Sequence, residues 1–78
     1  MTTEQLKETL KDGTFQFQYT KKDGSVRTAT GTRNLTLLEY YGATPNGNGP
    51  EKEGVITYYD IDANGWRSFI TENFIRFL

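Results

Sequence analysis

The side chains in this sequence that could do chemistry are mostly cations and aromatics. Lys21, Lys22, Arg27 and Arg33 fall within residues 14–41 against only two acids, Asp23 and Glu39, so this stretch carries +2. The chain as a whole carries −1, which leaves the remainder at −3. Phe17, Tyr19, Tyr40 and Tyr41 lie among those cations. Cations meet phosphates and flat rings stack on bases, so this mixture suits single-stranded nucleic acid. The competing reading is structural: a chain this small needs most of its aromatics for a core, and the lysines then solvate a hairpin.

Arg67 stands between Trp66 and Ser68. A guanidinium there can grip a phosphate or carboxylate with two parallel N–H donors, or it can pair with Asp60 or Asp62 across a hairpin. Asp60-x-Asp62-x-Asn64-Gly65 places oxygens at alternate positions, as in the first half of a helix–loop–helix calcium site. The second half does not follow. The bidentate acid should fall at Thr71, and Glu72 comes one place late. The flanks read as strands rather than helices, so an ordinary turn is the expectation and calcium a distant third.

What the chain lacks narrows the function further. It contains neither histidine nor cysteine. That removes Ser/His and Cys/His nucleophile systems, thiolate–zinc sites, disulfides and the usual proton shuttle near neutral pH. Gly47 and Gly49 are not placed as a phosphate loop between a strand and a helix. We therefore expect no enzyme, no metal site and no cofactor. No run approaches the ~20 apolar residues that span a membrane, and a signal-peptide pattern is absent. The expectation is a cytoplasmic protein without membrane contact.

The elements that position these residues fit one domain spanning 1–78. Thr2 and Gln5 have capping-box spacing ahead of Leu6 and Leu10, which predicts a short helix ending near Gly13. Phe15, Phe17 and Tyr19 alternate with Gln16 and Gln18, the period of a half-buried strand. Lys22-Asp23-Gly24-Ser25 turns the chain into a second strand, Ser25 to Thr32, with Gly31 marking a bend or bulge. Residues Arg33 to Tyr41 lean towards a helical turn capped by Asn34 or Thr36. Residues 42–54 are rich in Gly, Pro and Asn and read as a mobile loop. Val55 to Ile61, Trp66 to Ile70 and Phe74 to Leu78 are the remaining strands, with Thr71-Glu72-Asn73 as a tight turn. The fold class is mainly β, α+β by content. Strands apolar on both faces in so short a chain predict a strongly curved sheet closed into a five-stranded barrel with a short N-terminal helix.

The segment Ile56-Thr57-Tyr58-Tyr59-Asp60-Ile61-Asp62-Ala63-Asn64-Gly65-Trp66-Arg67-Ser68-Phe69, followed by Ile75, resembles the WYL-like proteins. Lys22-Asp23-Gly24-Ser25-Val26-Arg27-Thr28-Ala29-Thr30-Gly31-Thr32 is similar to their short, single-domain branch, common in phages and mobile elements of gut bacteria. The resemblance implies an Sm-like SH3 β-barrel and a regulatory module that recognises nucleic acid or a nucleotide-like anion. Arg67 matches the family's binding arginine. Thr57-Tyr58-Tyr59 replaces the Trp-Tyr-Leu tripeptide, and no helix-turn-helix is expected within these 78 residues.

Residues and resemblance together predict a small non-enzymatic accessory module for single-stranded nucleic acid or a nucleotide-like ligand. Its expected contacts are Arg67, Arg27, Lys21, Lys22 and Arg33, with Tyr19 and Tyr58 as stacking faces. The alternative is a protein–protein adaptor whose partner lies along an apolar groove lined by Tyr40, Tyr41 and Trp66.

Overall fold

The structure, a computed structural model, describes residues 1–43 and 52–78. Helix α1 (Thr3–Lys11) begins with the predicted capping box: Thr2 Oγ1 accepts from the Gln5 N–H, and the Gln5 side chain accepts from the Thr2 N–H. Its two-leucine stripe is narrow, and a nine-residue helix is marginal alone. It persists because Leu6 and Leu10 are fully buried against the sheet. Its last carbonyls are taken as well: Arg33 N–H donates to Leu10 O at 2.9 Å and Asn34 Nδ2 to Lys11 O at 2.8 Å.

Strands β1 (Thr14–Thr20), β2 (Val26–Thr32), β3 (Val55–Asp60), β4 (Gly65–Ile70) and β5 (Phe74–Phe77) form one antiparallel sheet in the order β4-β3-β2-β1-β5. β4 and β5 occupy opposite ends of that order, yet only the 3₁₀ turn Thr71–Asn73 separates them in sequence. Four strand spacings in a flat sheet span about 19 Å. Four residue steps from Ile70 to Phe74 reach at most about 14 Å. The sheet must therefore curl until its ends approach, and Phe69 on β4 stacks on Phe74 on β5 at 6.2 Å. The curl stops short of the predicted closed cylinder, because no ladder of hydrogen bonds joins β4 to β5 among the described residues. Aromatic rings and the 3₁₀ turn bridge the seam.

Two further expectations change in detail. Gly31 is not a bulge: it pairs in register with Phe15 on one side and Asp60 on the other. It is glycine because the Tyr58 ring lies over it, and a Cβ there would sit 2.4 Å from Tyr58 Cδ2. The bulge falls instead at Gln18/Tyr19, between β1 and β5. Helix α2 (Leu35–Tyr40) is the predicted turn of helix, capped by Asn34 Oδ1 accepting from the Leu37 N–H. Gly42 belongs to the end of α2 rather than to a mobile loop. With φ at 72° it donates to Glu39 O, while Ala43 donates to Leu38 O, which satisfies the last carbonyls of the helix. At the other end of the predicted loop, Val55 N–H donates to Lys52 O, and Gly54 O accepts from Thr71. Residues 44–51 of that loop lie outside the described residues.

Strand alternation sends Phe17 and Tyr19 of β1, Ala29 of β2, Ile56 and Tyr58 of β3 and Phe69 of β4 to the concave face. Phe17 is the hub, fully buried, with ring centroids of Tyr58, Phe69 and Phe77 at 5.1, 5.6 and 6.1 Å.

Candidate anion-binding groove

The same alternation that fills the core carries charge to its far end. Tyr19 on β1 is the direct cross-strand partner of Arg27 on β2. Tyr58 on β3 is the direct cross-strand partner of Arg67 on β4. Each hairpin thus delivers one tyrosine and one arginine to the concave face. The tyrosines meet at their tips, hydroxyl to hydroxyl, at 2.7 Å. The arginines meet through Asp60, the last residue of β3.

Asp60 is fully buried, and each of its oxygens has a partner. Arg27 Nη2 donates to Oδ2 in a close ion pair. Arg67 Nε lies 3.6 Å from the same oxygen. Ala63 N–H donates to Oδ1 at 3.0 Å, tying the β3–β4 turn to the pair. Asn64 completes that turn in the left-handed region, at φ 53°. The Asp60 carboxylate raises the Arg27 pKa above even its ordinary high value, against the opposing cost of burying the cation. Burial, with the Tyr19 hydrogen bond second, pushes the Tyr58 phenol above its usual range. Arg27 Nε stays buried without a hydrogen-bond partner, so Arg27 gives up one bond to hold this orientation.

Above the triad opens a groove of about 830 Å³ between the β1–β2 turn and β4. Lys21 and Lys22 stand on one rim, Trp66 and Arg67 on the other, and Lys52 flanks them from the entry to β3. Among the described residues Asp23 is the one acid in the lining. Its carboxyl is held below the ordinary range by donation from the Ser25 hydroxyl at 2.6 Å and the Ser25 N–H at 3.0 Å. Lys21, Lys22 and Lys52 have no ion-pair partner among the described residues.

The structure therefore brings Lys21, Lys22, Arg27 and Arg67 together with Tyr19 and leaves Tyr58 and Arg33 outside the groove lining. Tyr19 and Tyr58 are not stacking faces: they are 4% and 0% exposed, locked in the core by their shared hydrogen bond. Arg33 lies outside the groove, with its backbone N–H on Leu10 O and Nη1 donating to Thr57 O. The calcium reading of the 60–65 turn fails for a related reason. Asp60 turns inward to the arginines, so the turn does not present its first oxygen ligand outward. No group of three carboxylates suited to a metal occurs among the described residues.

Asp60 is the cross-hairpin partner of Arg67 that the sequence offered, and it is also the buried partner of Arg27, while Lys52 is a groove residue the sequence did not mark. Lys52 joins the groove only through folding, and no local pattern marks it. The burial of Asp60 did have a signal: it shares strand parity with Ile56 and Tyr58, which are both core. On the convex face Trp66 packs edge-on to Tyr59 at 5.7 Å, Tyr59 stacks on Tyr41 at 6.0 Å, and Tyr41 meets Tyr40 at 5.2 Å.

Five bent antiparallel strands in this order, led by a helix and linked at the seam by a 3₁₀ turn, define a small SH3-type β module. The chain belongs to the WYL_2 family, of Sm-like SH3 beta-barrel fold, which matches residues 3–75. No curated protein and no solved structure gives a significant match. Among the described residues no helix is long and apolar enough to cross a membrane.

Proposed function

We propose that the module binds a polyanion, single-stranded nucleic acid or a nucleotide-like ligand, in the groove between the β1–β2 turn and β4, and performs no chemistry on it. The carrying observation is charge placement. Five cations converge on one groove in a chain of net charge −1, and three of them have no ion-pair partner among the described residues. Trp66, its ring packed edge-on to Tyr59, also borders the groove. Titrating labelled single-stranded DNA and RNA at low salt tests the reading. Affinity should fall steeply with added salt, because each neutralised phosphate releases a counterion. Replacing Lys21, Lys22 and Lys52 by glutamine together should abolish binding and flatten the salt dependence. Absence of binding at high micromolar protein overturns the proposal.

One observation favours the adaptor reading. Tyr40, 81% exposed, carries the Tyr41–Tyr59–Trp66 row of rings out to the surface, where a partner could meet it. A partner that survives nuclease treatment and is lost with Tyr40→Ser would favour this surface over the groove.

A further inference from the structure

Arg67 has two candidate occupations, an ion pair with Asp60 and an anion in the groove, and its geometry permits both at once. The guanidinium carries five N–H donors in a fixed plane. Its Nε–H side approaches Asp60 Oδ2 at 3.6 Å. No hydrogen-bond partner engages its two Nη groups among the described residues, and the side chain is 50% exposed on the groove wall. Asp60 is in turn immobilised by Arg27 and by the Ala63 N–H, with no exposed surface of its own.

We propose that Asp60 is a positioning residue: clamped by Arg27, it holds the Nε edge of Arg67 and so presents the two Nη groups as a fork for one oxyanion at the groove wall. The inference rests on the anion-binding reading above. It gives the two arginines different tasks. Arg27 is committed to Asp60 and contributes little direct contact, whereas Arg67 makes the bidentate contact. A planar fork already held in place loses little side-chain freedom on binding, which a lysine at this position cannot reproduce.

The consequence runs against simple electrostatics. Asp60 is the anion nearest the site, so Asp60→Asn makes the groove more positive. A groove acting only as a positive field must then bind an anion more tightly. A groove that needs Arg67 aimed must bind it more weakly, despite the extra charge.

The experiment uses the full chain and a labelled oligothymidylate at low salt, with wild type, Asp60→Asn, Arg67→Lys and Arg76→Lys. We expect Arg67→Lys, which keeps the charge and loses the fork, to weaken binding about tenfold. Arg76→Lys, the same exchange at an exposed position of β5 outside the groove, should leave it unchanged within about twofold. Asp60→Asn should weaken it by a factor similar to Arg67→Lys. Tighter binding by Asp60→Asn, or Arg67→Lys equal to wild type, overturns the positioning role while leaving the groove reading intact. If thermal melting shows Asp60→Asn unfolded, Arg67→Lys against Arg76→Lys decides alone. Failure of wild type to bind at all removes the groove reading and the positioning role with it. Side-chain nitrogen NMR gives a second readout: the oligothymidylate should shift the Arg67 Nη resonances and leave Nε in place, and the reverse pattern counts against the fork.

Discussion

The concave face has two ends made by the same strands under opposite rules. At one end Leu6, Leu10, Phe17, Ile56 and Phe69 exclude water, and their burial drives folding. At the other, Arg27, Asp60 and Arg67 hold charges in place beside solvent, and the Tyr19–Tyr58 hydroxyl pair marks the border. Apolar contacts stabilise in proportion to area and tolerate some variation in shape. A buried ion pair contributes little net stability, yet removing one partner is costly because the other is left charged and dry. The charged end is therefore better explained by the geometry it holds than by the stability it adds.

Replacement of Phe17 by alanine tests the apolar end hardest. It should cost about 4 kcal/mol, a large share of the 5–15 kcal/mol typical of small domains, and urea unfolding would show a population close to the unfolded state. At the charged end Arg27→Met should cost about 3 kcal/mol by stranding the Asp60 carboxylate. A loss near zero would mean that Arg67 swings in to replace it, and the division of labour between the arginines would then be wrong.

The border itself is a gentler probe. Tyr58→Phe should remove about 1 kcal/mol, the worth of one buried hydrogen bond. Its pH dependence has a definite sign. The folded state resists ionising Tyr58, so this contribution is complete below the unfolded phenol pKa of about 10 and is lost as pH rises towards the higher folded value. A series of urea midpoints at alkaline pH should fall less steeply for Tyr58→Phe than for wild type. The smallest effect belongs to the groove wall: Arg67→Ala, half exposed in the native state, should change stability by less than about 0.5 kcal/mol. A larger loss would place Arg67 in the structural network rather than in the binding surface.

Much of this architecture is legible in the residues. Asp23-Gly24 sits at the first hairpin turn and Asn64-Gly65 at the second, where Gly24 and Asn64 adopt positive φ. Thr2 with Gln5, and Asn34 before Leu37, announce both helices. The site is harder to read, because tyrosine has a polar tip that serves equally well inside a core or on a surface. Tyr19 and Tyr58 look available for stacking until each is seen to satisfy the other. The unbonded seam is illegible for another reason: whether two edges pair depends on how far the whole sheet curls, a property no single strand carries. Lys52 is invisible to any one-dimensional pattern, since its neighbours in the groove either precede it by at least 25 positions in the first hairpin or follow it on β3, β4 and the 3₁₀ turn.

The chain holds a single tryptophan, and it stands on the groove rim with its ring against Tyr59. Indole emission responds to the polarity and quenching of its surroundings. The molecule thus carries an intrinsic fluorescent gauge beside the proposed binding groove, and unlabelled candidates can be screened by watching its colour and brightness.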